Sequence, residues 1–136
     1  MLTFGILFHL DYGMLTFLLT DDVPGLEILQ KANGSEEGKW LAIEPRPGAF
    51  IVNLGDMLAR WTNDLYASTV HRVVNRTGQQ RFSIPFFFEP NFDTVVECLP
   101  QCVSEERPSR YPEPTTSGEF LLAKYAITHT FFEAEN

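Results

Sequence analysis

Short apolar runs broken by Gly, Pro, Asn and Asp set the pattern of this chain. The runs have strand length and are rich in Val, Ile, Phe and Thr, the residues that half-buried strands favour. They predict strands over Thr3–His9, Leu15–Leu19, Leu26–Leu29, Trp40–Ile43, Phe50–Asn53, Thr69–Val74 and Arg81–Phe88. Asp21-Asp22-Val23-Pro24-Gly25 is a turn, because Pro fixes φ and Gly accepts a positive one. Residues 32–39 form a polar loop, and Arg46-Pro47-Gly48 and Arg76-Thr77-Gly78 are further turns. Helical spacing is rarer. Met57, Leu58 and Trp61 predict one or two helical turns within Gly55–Asn63. Glu97–Tyr111 is polar, and with Pro108, Pro112 and Pro114 it reads as a surface loop. Thr116-Ser117-Gly118-Glu119 opens a helix, with Ser117 as N-cap and a carboxylate in the first turn. Phe120, Leu121, Tyr125 and Thr128 would line one face and pack on the outside of the sheets. Many short strands and few helices predict an all-β dominated fold, a sandwich or jelly roll.

Size and charge narrow the class. The chain has 136 residues, which suits one domain. A net charge of -8 argues against a nucleic-acid surface, which needs Lys and Arg against phosphate. No apolar run is long enough to cross a bilayer. The greasy N-terminus lacks a basic start and a small-residue cleavage site, so it reads as a strand. Cys98 and Cys102 are the two cysteines, expected as free thiols in a reducing, cytoplasmic setting.

The candidate chemistry lies in the histidines, of which there are three. His9 and Asp11 stand two apart, so on a strand they share a face while Leu10 points away. His71 lies in a β-branched stretch far downstream. Two imidazoles and one carboxylate, with other positions open, form the ligand set of a mononuclear non-haem Fe(II) site. An H-x-D triplet alone arises by chance, and a lone His in an apolar strand is more often a satisfied core residue. The ordered set carries the reading. His129 is read as structural or exposed. Arg81 and Ser83 form a second i, i+2 pair, and a guanidinium with a hydroxyl can grip a carboxylate. An internal salt bridge from Arg81 to an Asp or Glu is the alternative. Phe86, Phe88, Asn91 and Phe92 are candidates for a pocket lining.

HLDYGMLTFLLTDD, followed by PGAFIVNLGDMLARWTNDLYASTVHRVVNRTGQQRFSIPFFFEPNFD, resembles the 2-oxoglutarate/Fe(II)-dependent dioxygenase superfamily, in its isopenicillin N synthase-like group. The likeness runs from about His9 to the end of the chain. It implies a double-stranded β-helix with Fe(II) on His9, Asp11 and His71, and 2-oxoglutarate held at its distal carboxylate by Arg81 and Ser83. It implies an O₂-dependent enzyme that decarboxylates 2-oxoglutarate to succinate while hydroxylating or desaturating a small organic molecule. In isopenicillin N synthase itself the R-x-S pair serves the peptide substrate, so the motif alone leaves the cosubstrate open.

Two departures from the group stand out. Leu10 replaces the usual Thr or Ser between the first two ligands. The long region that members carry before H-x-D is expected to be missing here. The expected organisation is a jelly-roll core over 1–95, N-terminally truncated, with a C-terminal loop and helix over 96–136 packed on it. The alternative function is a catalytically inactive truncated paralogue or fragment that binds metal weakly or self-associates through an exposed sheet edge.

Overall fold

A computed structural model describes residues 10–31 and 38–128. The predicted strand Thr3–His9, the ligand candidate His9 and His129 lie outside these residues. Two three-stranded antiparallel sheets dominate the described part. In the first, β1 (Leu15–Thr20) is central, between β4 (Ile51–Leu54) and β6 (Ser83–Phe88). In the second, β2 (Leu26–Lys31) is central, between β3 (Gly38–Ala42) and β5 (His71–Val73). Helix α1 (Asp56–Trp61) follows β4 directly. The two-residue strands β7 (Val95–Val96) and β8 (Thr115–Thr116) pair with each other, and α2 (Ser117–Thr128) follows.

Strand alternation turns one face of each sheet toward a shared cavity of about 230 Å³. The first sheet contributes Thr16, Leu18, Ile51, Asn53, Ser83, Pro85 and Phe87, and the second contributes Leu26, Ile28, His71 and Val73. The outer faces differ in kind. On the first sheet, Val52, Ile84, Phe86 and Phe88 are exposed, with Phe86 at 61%. On the second, Arg72 binds Glu27 at 2.7 Å and stacks over the Trp40 ring at 4.0 Å. Pro85 suits its place on β6, which has one partner strand among the described residues.

The tightest core lies beside the sheets, where Met57, Val96 and Leu121 are buried against Tyr12, Met14, Trp61 and Phe120. Helix α2 therefore docks through its first turn, and Tyr125 and Thr128 stay exposed rather than completing a buried face. Its N-cap is Thr116, not Ser117. Thr116 Oγ1 accepts from Glu119 N at 3.2 Å while Glu119 Oε2 accepts from Thr116 N at 3.0 Å, a reciprocal capping box. The long loop before it is anchored by buried Asn63. Its Nδ2 donates to Cys102 O and Pro108 O, and its Oδ1 accepts from Arg110 N. Asn63 and Asp64 both sit at positive φ, 52° and 57°, a region Asn and Asp tolerate better than most residues.

The start of α1 fixes the site that follows. Its first N–H groups have no intrahelical partners. Asp56 N donates to Asp11 O at 2.8 Å, and Met57 N to Tyr12 O and Gly13 O at 3.0 and 3.1 Å. Gly55 N adds a bond to Met14 O at 3.0 Å. The two backbones meet so closely that a Cβ on Gly55 would overlap Gly13 O and stand 2.8 Å from Asp11 O. Neither atom belongs to a side chain that could turn away. Gly55→Ala is expected to destabilise the fold by roughly 3 kcal/mol, the upper range for overpacking. Urea unfolding checks this, and an unchanged midpoint contradicts the close crossing.

Glu27 gives a second prediction. A hydrogen bond from Arg76 holds its carboxyl below the usual value near 4.5, outweighing its burial, and Arg72 adds to the effect. A depressed folded-state pKa stabilises the fold above the unfolded-state pKa, and the contribution is lost as pH falls through the folded-state value. Wild type should lose thermal stability on acidification below pH 4.5 more steeply than Glu27→Gln. Unfolding midpoints measured from neutral pH downward test this, and parallel curves contradict it.

Candidate functional site

Asp11 lies just ahead of β1, on the backbone that α1 pins. Its Oδ2 accepts from Thr16 Oγ1 at 2.6 Å and from Asn53 Nδ2 at 2.7 Å. Thr16 and Asn53 are cross-strand partners on β1 and β4, both facing the cavity. One carboxylate oxygen therefore has two fixed donors, and the other is left to face the cavity.

His71 opens β5, opposite Ile28 on β2. Its Nδ1 lies 2.9 Å from Thr69 O. A carbonyl only accepts, so in the neutral ring Nδ1 carries the hydrogen and Nε2 keeps its lone pair. That Nε2 stands 3.9 Å from Asp11 Oδ1. Two atoms each about 2.1 Å from one ion lie at most about 4.2 Å apart, so this pair is within reach of a shared metal. Two side-chain donors on Asp11 and a backbone carbonyl on His71 orient the pair, as outer-shell bonds do in metal centres. No group of three or more His, Cys, Asp or Glu residues suited to a metal occurs among the described residues, of which His9 is not one.

Ser83 lines the other end of the cavity. Arg81 precedes β6 rather than lying within it, and its Nη1 donates to Ser83 Oγ at 3.3 Å. The Arg81 side chain rests on Gly25, where a Cβ would stand 3.4 Å from Cδ and 3.5 Å from Nε. Arg81 Nε is buried without a hydrogen-bond partner. No ion pair to Arg81 occurs among the described residues, so the expected alternative, an internal salt bridge, is not found there. Arg81 itself lines a neighbouring recess with Thr20, Gly25 and Ile43 rather than this cavity, and a buried guanidinium nitrogen left unpaired is costly unless an anion reaches it. Leu18, Leu26, Ile28, Ile51 and Val73 wall the space between the two ends. A small anionic chelator fits a cavity with two metal-type donors at one end and, at the other, Ser83, which accepts the hydrogen bond from Arg81.

The expected lining needs correction. Phe87 lines the cavity although it is partly exposed, whereas Phe86 and Phe88 alternate to the outer face and do not line it. Asn91 and Phe92 do not line it, and Phe92 packs on Gly118 instead. The sequence reading missed Thr16, Asn53 and Thr69. The available signal was a polar residue inside an apolar strand run, Thr16 in MLTFLL and Asn53 in FIVNLG.

Comparison with known proteins gives the family. The sequence profile of the 2OG-Fe(II) oxygenase superfamily matches residues 1–90. A 2-oxoglutarate-Fe(II) type oxidoreductase of Emericella nidulans is 42% identical over 130 residues, covering 96% of this chain and 36% of the relative. A homoarginine-6-hydroxylase of Oryza sativa is 39% identical over 117 residues, covering 85% of this chain and 34% of the relative. The crystal structure of a full-length Neurospora crassa protein in complex with alpha-KG and thymine superposes with a TM-score of 0.77 at 36% identity, covering 90% of this chain and 37% of that one. The chain thus spans little more than a third of the length of these relatives. The chain belongs to the 2OG-Fe(II) oxygenase superfamily, whose cofactors are Fe(II), 2-oxoglutarate and O₂.

Proposed function

We propose that this chain is the catalytic part of an oxidoreductase that couples oxidative decarboxylation of 2-oxoglutarate to hydroxylation or desaturation of a small organic molecule. The single observation that supports it most is the Asp11 Oδ1 and His71 Nε2 pair at 3.9 Å, with Asp11 Oδ2 held by Thr16 and Asn53 and His71 Nδ1 held by Thr69 O. The two sheets are the facing halves of a double-stranded β-helix in this reading. His9, Asp11 and His71 hold Fe(II), and Arg81 with Ser83 holds the distal carboxylate of 2-oxoglutarate. Iron with 2-oxoglutarate and O₂ supplies the oxidising chemistry, which is the cofactor's own.

The protein's part is positioning. Thr16 and Asn53 fix the Asp11 carboxylate, and Thr69 O fixes the tautomer and plane of His71. Arg81 neutralises the incoming anion in a site walled by aliphatic side chains, where the attraction is stronger than in water. Those walls also keep bulk water from the reacting end. The free thiols Cys98 and Cys102 accord with a cytoplasmic setting. A second reading, a catalytically inactive fragment that binds metal weakly or self-associates, draws on the exposed apolar outer face of the first sheet.

Under air with Fe(II) and 2-oxoglutarate, wild type should release succinate and His71→Ala should fall to background. Arg81→Ala should raise the KM for 2-oxoglutarate by roughly 30-fold, from loss of about 2 kcal/mol of charge-assisted bonding. Equal release by wild type and His71→Ala defeats the proposal, and a metal-free dimer without release favours the second reading. Asn53→Leu should weaken metal binding about tenfold by freeing the Asp11 carboxylate. A Co(II) absorption titration measures it, and unchanged affinity removes Asn53 from the site.

A further inference from the structure

The inward row on β6 does not stop at the cavity. Ser83, Pro85 and Phe87 alternate along the lining face, and Glu89 comes two residues later. Glu89 lines a second hollow of about 270 Å³ with Leu10, Tyr12, Phe87 and Tyr125. Asp11 borders both hollows. Along the chain the order runs from Ser83, to Phe87 opposite the Thr16 that holds Asp11, to Glu89 just past the end of β6. Ser83 and Glu89 therefore lie to either side of the Phe87–Thr16 pair that meets Asp11.

The second hollow has one consistent chemistry. The Glu89 carboxylate has no hydrogen-bond or ion-pair partner among the described residues. It presses on Gly13, where a Cβ would stand 2.6 Å from Oε1, so the loop carrying Asp11 leaves room for it. Its partial burial raises the carboxyl above its usual range. The walls are aromatic, and the Tyr12 and Tyr125 rings meet edge to face with centroids 5.6 Å apart. Ring faces and a carboxylate both attract a cation and repel an anion. The net charge of -8 has the same preference at longer range.

We propose that Glu89, with the rings of Tyr12, Phe87 and Tyr125, recognises the positive charge of an amine- or guanidine-bearing substrate and holds it beside Asp11. Glu89 is a specificity residue in this assignment, and its substrate role rests on the oxygenase reading above. Binding, measured without turnover, separates the two. Benzylammonium, benzyl alcohol and benzoate are probes of similar shape and different charge. By calorimetry the wild-type chain should bind benzylammonium about tenfold more tightly than benzyl alcohol, with benzoate weakest. Glu89→Gln should bring the first two within about threefold of each other. Glu106→Gln, an exposed control that changes net charge equally, should keep the preference. Equal binding of the cation and the alcohol by wild type overturns the proposal. So does an unaltered preference in Glu89→Gln, or an equal loss in Glu106→Gln. A cation preference without succinate release leaves the subsite standing and defeats the oxygenase reading. Succinate release without the preference does the reverse.

Discussion

Everything about the site depends on the junction where β4 becomes α1. Within four residues that junction supplies the side chain that holds the Asp11 carboxylate, from Asn53, and the backbone donor that holds the Asp11 carbonyl, from Asp56. Unpaired N–H groups at a helix start must find acceptors. Here the acceptors are the carbonyls of the very loop that carries the acid, and no side chain caps the helix. The need of the helix for acceptors and the need of the acid for rigidity are met by one contact. Gly55 makes the contact sterically feasible.

The remaining architecture distributes its polarity around that contact. Between the sheets, polar groups occur at the two ends and aliphatic groups between them. Outside, one sheet carries the Glu27, Arg72 and Trp40 arrangement while the other presents Phe and Ile to solvent. The buried Met57, Val96 and Leu121 cluster sits under α1 rather than between the sheets. Packing thus supports the helix whose N–H groups hold the Asp11 loop, and a cavity remains between the sheets.

Much of this was legible in the chain itself. Most strand runs were readable because β-branched and aromatic residues cluster between turns. Their ends were not: β3 begins at Gly38 and β2 ends at Lys31, since ladder bonds need no apolar side chain. The facing of β6 was hidden because Ile84 to Phe88 is apolar throughout and offers no alternation. Only its register with β1 distinguishes Phe87 from its neighbours. Asp11 and His71 were readable as a ligand pattern, but their supports were not. The bond from Asn53 to Asp11 spans 42 residues, and nothing local announces it. The capping box was local, with Thr116 and Glu119 three apart, yet Ser117 offered an equally good hydroxyl one position later.

The alternation on β6 has a genetic consequence. Ser83, Pro85 and Phe87 owe their facing to an unbroken two-residue repeat, and Glu89 follows just past the strand end. A single-codon insertion between Ser83 and Phe87 would move every later residue to the opposite face, bringing the exterior phenylalanines inside and expelling Glu89. Point changes along this segment alter one wall at a time. Changes in its length would exchange the interior for the exterior at once, so lineages can diversify this strand by substitution far more readily than by gaining or losing residues.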